Sequence, residues 1–213
     1  MGAAVLRVGT QADARAAASL HGGQIDEGFL ASLGPRFLAR LYRRVVLFDG
    51  SFLLMADTPA SQGGFIAGAL DVGAFYKSFL VHDGAVAAIA AAPRLVRAWP
   101  RALETLRHGS SGNAETGAAE LLSIAVDPGS RGRGTGALLV NGFIDEARRR
   151  GATAAQVVVG ANNRSAISLY ARSGFEQVDD FELHPGTRSL LMRRSLPRMD
   201  GTPGAPGLTR PRS

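Results

Sequence analysis

The run Arg131-Gly132-Arg133-Gly134-Thr135-Gly136 combines two guanidinium charges with three alternating glycines. Glycine lets the backbone turn tightly, so that several N–H groups converge on one point. The run lies between an apolar, strand-like stretch at 121–126 and an amphipathic, helix-like stretch at 137–150. A helix start adds unpaired N–H groups and the positive end of its dipole. The chemistry implied is the holding of a phosphate or pyrophosphate. Spacing excludes two other phosphate motifs. No Gly-Lys-Ser/Thr follows, so the run is not a P-loop. Glycines at 132, 134 and 136 do not make the G-x-G-x-x-G of a dinucleotide fold.

Such a loop needs elements to carry it. Residues 5–8 form a short alternating strand pattern, and 13–20 an alanine-rich helix capped by Thr10 or Asp13. Gly34-Pro35 opens a stronger helix over 36–47, with Phe37, Leu38, Leu41, Val45 and Phe48 at helical spacing. Residues 51–57 and 64–71 read as strands joined by a turn containing Pro59, Gly63 and Gly64. The pattern changes over 73–117. There, 85–107 reads as two or three short helices broken at Pro93 and Pro100, and 108–117 as a mobile polar loop. The second half is more regular. It gives a strand at 120–126, a helix at 135–150 closed by Gly151, a buried strand at 155–159 and a helix at 163–172 closed by Gly174. A final hairpin pairs 175–183 with 187–193 through His184-Pro185-Gly186. From 197 onward no apolar periodicity remains, which predicts a disordered tail over 197–213.

The 213 residues suit one domain, 1–196, with a substantial core. With 46% hydrophobic and 20% charged residues the composition is that of a globular protein, and no apolar run is long enough for a membrane span. The absence of cysteine excludes disulfides, a thiol nucleophile and thiolate metal sites, and fits a cytoplasmic location. The net charge of +6 includes Arg198, Arg210 and Arg212 of the tail, and the remaining basic residues do not cluster with aromatics as a nucleic-acid surface would. Neither nucleic acid nor membrane is therefore an expected partner. A second copy of the chain is kept as a candidate partner.

Downstream of the glycine run stand Val159-Gly-Ala-Asn-Asn163 and Ile167-Ser-Leu-Tyr-Ala-Arg-Ser-Gly-Phe175. Together with Arg131, Gly134 and Gly136, the spacing of Asn163, Tyr170 and Gly174-Phe175 resembles the acetyl-CoA-binding half of the GNAT superfamily of N-acetyltransferases. The resemblance covers 120–193. It implies an α/β (α+β) fold: a mixed, mostly antiparallel twisted sheet flanked by helices, here with a helical insertion (73–117) between the third and fourth strands. It further implies acetyl-CoA as donor and an amine as acceptor, either a small molecule such as an amino sugar or a protein N-terminus or lysine. Backbone N–H groups of Arg131, Gly132, Arg133, Gly134, Thr135 and Gly136 would hold the pyrophosphate. The backbone of Ile124, Ala125 and Val126 would pair with the pantetheine arm, where this strand splays from the next near 157–159. Asn163 would bond the pantetheine, and a backbone N–H near Val126 would polarise the thioester carbonyl. Tyr170 would protonate the leaving thiolate.

An amine acceptor must lose a proton before it attacks. Glu120 stands where the histone-acetyltransferase branch carries its glutamate. The ribosomal-protein alanine branch uses a glutamate on the next strand, where this chain has Val158. Glu182 and His184 are further candidates for acceptor contacts. Each residue also has a plainer reading: Tyr170 as packing, Glu120 as a solvated strand-edge carboxylate, His184 as a turn residue, and Phe75, Tyr76 and Phe79 as core or as acceptor-pocket lining. His21, His82 and His108 fall in loops or at helix ends with no metal-ligand spacing, and Arg148-Arg149-Arg150 is the basic end of a helix. A non-catalytic acyl-CoA sensor is the alternative of a different class.

Overall fold

Period-two alternation along β2 (Ser51–Asp57) sends Phe52, Leu54 and Ala56 to one face and Leu53 and Met55 to the other, and both sets are buried. A strand buried on both faces needs a helical layer on each side. The computed structural model, which describes residues 3–24, 33–59, 61–84, 117–184 and 187–197, supplies both layers. The other strands are β1 (Val5–Val8), β3 (Gln62–Ala69), β4 (Ala118–Val126), β5 (Ala154–Gly160), β6 (Glu176–His184) and β7 (Thr187–Ser195). They form one seven-stranded sheet in the order β1-β2-β3-β4-β5-β7-β6. Every neighbouring pair is antiparallel except β4 and β5, which are parallel.

The helices are α1 (Ala14–Gln24), α2 (Pro35–Leu47), α3 (helical over 72–84), α4 (Thr135–Arg149) and α5 (Arg164–Arg172). One face carries α4 and α5, whose Leu139, Val140, Phe143, Ile144 and Tyr170 pack on the sheet. The other carries α1, α2 and α3 through Ala14, Ala17, Leu38, Leu41, Tyr42, Val45, Phe75 and Phe79. The spacing 38, 41, 42, 45 is one helical stripe, and Pro35 occupies the first turn where its missing N–H costs nothing. Gly142 lets α4 approach β1: a Cβ there would sit 2.2 Å from Leu6 Cδ2.

Several expectations change at their edges. α1 runs past Gly22-Gly23 to Gln24, so His21 lies in its last turn, where it is buried. Packing against Tyr42 outweighs the low helix propensity of glycine there. Thr10 and Asp13 act together, as a capping box on a short 3-10 turn before α1. β3 occupies Gln62–Ala69 rather than 64–71, and the segment from 72 to 84 is one helix. The expected short helices of 85–107, most of the 108–117 loop and the tail after 197 lie outside the described residues. No helix among the described residues is long and apolar enough to cross a membrane.

Candidate functional site

The glycine run forms the turn into α4. Gly132 and Gly134 have φ of +70° and +82°, a region that L side chains rarely adopt, and a Cβ on either would meet no atom within 4 Å. Backbone conformation, rather than packing, therefore calls for glycine at both. The first helical bond of α4 is Leu138 N–H to Gly134 O at 2.9 Å, which leaves the N–H groups of Thr135, Gly136 and Ala137 ahead of the helical ladder. Below the loop, Asp127 accepts from Gly129 N–H and the buried Thr135 hydroxyl donates to Ser130 O at 3.1 Å. Gly136 has a second role: a Cβ there would lie 3.3 Å from Leu169, so it lets α5 pack against the first turn of α4. Arg131 bonds Val126 O at 3.3 Å and reaches Gln24 at the end of α1. A floor with exposed N–H groups, room for a ligand above the glycines and flanking arginines fits a pyrophosphate.

Next to this loop the sheet parts. β4 and β5 share only the pairs Ala118↔Ala154, Ala119↔Ala155 and Glu120↔Gln156. Beyond them β5 continues along β7, through Val157↔Met192 to Gly160↔Ser189, while β4 continues along β3 to Val126. Residues Ile124, Ala125 and Val126 thus have a β3 partner on one side and, among the described residues, no strand on the other. The β3–β4 register slips between Ala67 and Gly68, which pair with Ser123 and Leu121, so Leu122 is an extra, bulged residue. Leu122 and Ser123 consequently both face the α1–α2–α3 layer, lining one cavity with Tyr42 and Tyr76.

Glu120 sits at the last pair before the parting. It is half-buried and accepts a 3.0 Å hydrogen bond from the buried Gln156 side chain, whose Oε1 accepts from Arg193 at 3.1 Å. This replaces the picture of a solvated strand-edge carboxylate. Burial raises the Glu120 carboxyl above its ordinary value, and the Gln156 bond offsets part of that. The neighbouring Tyr76 hydroxyl is pushed up to about 12, first by burial and then by the Glu120 charge.

Tyr170 is buried on α5, its ring packed on Phe175 at 5.8 Å between centroids. Burial raises its phenol pKa, so the proton stays on the oxygen throughout the neutral range. Asn163 is the N-cap of α5: Oδ1 accepts from Ala166 N–H at 3.1 Å, which leaves the amide NH2 for other partners. Val158 is 37% exposed on β5. Glu182 is exposed on β6, away from the parting, opposite Arg188 of β7; His184 ends that strand. His82 bonds Ser78 O within α3, and His108 lies outside the described residues. Phe75 and Phe79 are core, whereas Phe75 and Tyr76 also line the cavity beside Ser123. No group of three potential metal ligands occurs among the described residues.

Sequence reasoning missed a buried chain of polar groups. His21 Nδ1 lies 2.5 Å from Tyr42 Oη, which lies 2.7 Å from Ser123 Oγ. Tyr42 stood in the α2 apolar stripe, and Ser123 was one residue of an apolar strand, so neither pattern marked them. Gln156 was hidden likewise within a buried strand.

Residues 61–175 match the model of the acetyltransferase (GNAT) family. A [ribosomal protein bS18]-alanine N-acetyltransferase of Salmonella typhimurium is 42% identical over 59 residues, 28% of this chain and 40% of that protein. A mycothiol acetyltransferase of Beutenbergia cavernae is 39% identical over 66 residues, 31% of this chain and 22% of that one. The matches thus span less than half of either relative. The solved structure of a putative acetyltransferase from Salmonella typhimurium with acetyl-CoA superposes with a TM-score of 0.62 at 17% identity, covering 96% of this chain and 99% of the other.

Proposed function

The chain belongs to the GNAT family of acetyltransferases, and on that premise we propose that it moves an acetyl group from acetyl-CoA to the primary amine of a small molecule in the cytoplasm. The observation that carries this reading is the parting of β4 and β5 directly after Glu120, beside the glycine-rich helix start.

The N–H groups of 132–136, with the side chains of Arg131 and Arg133, bind the pyrophosphate; the Arg131 N–H itself donates to Pro128 O. The free edge of Ile124–Ala125–Val126 and the Asn163 amide NH2 orient the pantetheine arm. Acetyl-CoA, when bound, supplies a thioester open to attack by an amine. Glu120 takes the proton that the amine gives up as its nitrogen bonds to the acyl carbon; its raised carboxyl makes it a stronger base than an ordinary glutamate. Tyr170 donates its phenolic proton to the sulfur as the C–S bond breaks. Phe75 and Tyr76 of α3 line the cavity on the acceptor side. A protein N-terminus is the second reading, favoured by the similarity to the bS18-alanine enzyme. Val158 occupies the position where the bS18 branch carries its glutamate, and it supports the small-molecule reading.

The test is thiol release from acetyl-CoA over a panel of amines and N-terminal peptides. Turnover that falls at least tenfold in Tyr170→Phe, with acetyl-CoA affinity kept, supports the transferase. Tight CoA binding without release on any acceptor would make the chain an acyl-CoA sensor.

A further inference from the structure

We infer that Ser123 is a hydrogen-bond contact of the amine acceptor, its hydroxyl fixed as an acceptor of N–H by Tyr42 and His21. The inference rests on the transferase reading above. The three side chains come from three elements, α1, α2 and the bulge of β4, and end at the cavity beside the parted strands.

The direction of the protons along this chain follows from acidity. A phenol is a far stronger donor than a neutral imidazole N–H. His21 is neutral, because burial pushes it down to about 4. Across 2.5 Å, Tyr42 therefore donates and His21 Nδ1 accepts. The Tyr42 oxygen, its hydrogen spent, can then only accept, so the Ser123 O–H donates to it across 2.7 Å. Ser123 has one proton and it is committed. What Ser123 has left for the cavity is lone pairs.

That cavity measures about 20 Å³, with Leu41, Val45, Phe75 and Leu122 as its apolar lining. A primary amine whose lone pair faces an acyl carbon still has N–H groups to place, and Ser123 receives one of them. A secondary amine, whose one N–H goes to the base, has none left for Ser123. Tyr42 and His21 act through Ser123 as positioning residues.

A purely structural role for the three would tie α1 and α2 to the sheet and affect melting alone. Kinetics separate the two. Ser123→Ala is expected to lower acceptor kcat/KM about tenfold, through KM, with the acetyl-CoA KM unchanged. Ser123→Thr, which keeps a hydroxyl, restores most of that loss. Tyr42→Phe lowers acceptor kcat/KM similarly, and the double variant loses no more than either single one. Side-chain 15N resonances of His21, read without turnover, should show the Nε2–H tautomer. An Nδ1–H tautomer overturns the relay. So does a Ser123→Ala protein within twofold of wild type on the acceptor, or one that loses donor and acceptor kinetics equally. A wild-type chain that releases no thiol on any amine overturns the transferase reading and this contact together; a wild type that turns over beside a silent Ser123→Ala overturns this contact alone.

Discussion

Gly134 and Gly151 stand at opposite ends of α4 and form a matched pair. Their φ angles are +82° and +86°, and a Cβ on either would meet nothing within 4 Å. Alanine at either position therefore carries the same backbone strain, about 1–2 kcal/mol, and no clash. For a domain of this size that is a loss of roughly 2–8 °C in Tm. Only Gly134 lies in the proposed pyrophosphate cradle, where the open space above it is the ligand's. If Gly134→Ala displaces one charge-assisted N–H bond to phosphate, worth about 1.5–3 kcal/mol, the acetyl-CoA Kd should rise by one to two orders of magnitude. Gly151→Ala should leave it within about twofold. Calorimetric titration of both variants, alongside their melting curves, measures the two effects separately. Equal Tm losses with equal, small changes in Kd would refute the assignment of this loop to the cofactor.

Further outcomes are expected. Glu120→Gln should cut kcat at neutral pH tenfold or more and remove the acidic limb of the pH–rate profile; in wild type that limb lies above the ordinary glutamate range, because Glu120 is raised in the fold. The same shift has a stability sign. A carboxyl raised on folding favours the folded state at low pH and loses that contribution as pH rises through its folded value, so Glu120→Gln should raise Tm at pH 8 more than at pH 4, by thermal melts. Asp13 shifts the opposite way, held below the carboxylate range first by the Arg7 bond. Asp13→Ala should cost about 1–2 kcal/mol at pH 7 through the lost capping box, and the gap from wild type should narrow only as pH falls below about 4, in urea titrations. Phe143, fully buried against Phe52 and over Gly68, should cost about 3–5 kcal/mol as alanine.

The glycine turn into α4, Asn163 at the start of α5 and Tyr170 within it were legible as positions in the fold, because they depend on spacing within one stretch of chain. The same is true of strand and helix order, since the period-two pattern of β2 and the 38–41–42–45 stripe of α2 are local. The surroundings of Glu120 were not legible. Its partner Gln156 is 36 residues away, and Arg193 is 37 further on. They meet through parallel pairing and sheet order, which no local pattern encodes. The same holds for His21, Tyr42 and Ser123, drawn from α1, α2 and β4. A tyrosine in an apolar stripe announces burial, but its hydroxyl partner is decided by where helix and sheet cross. The bulge at Leu122 was invisible for a related reason: an apolar run such as Leu121-Leu122 does not say which residue is left unpaired.

Three strand pairs join β4 to β5, with Thr153 N–H to Gly117 O just before them and the Gln156–Glu120 side-chain bond at their end, and among the described residues this short seam links β1 to β4 on one side with β5 to β7 on the other. Each part has its own full antiparallel ladder. The seam is the weakest line along which the sheet can breathe, held otherwise by side chains of α4 and α5 that lie across it. Amide exchange should therefore be fastest in the segments 121–126 and 157–160 along their facing edges. The donor, laid into the seam as proposed, would supply the missing ladder as an eighth strand made of non-peptide chain. Its binding energy would then add to the cohesion of the fold, and the two halves would be held together more tightly as the donor concentration rises.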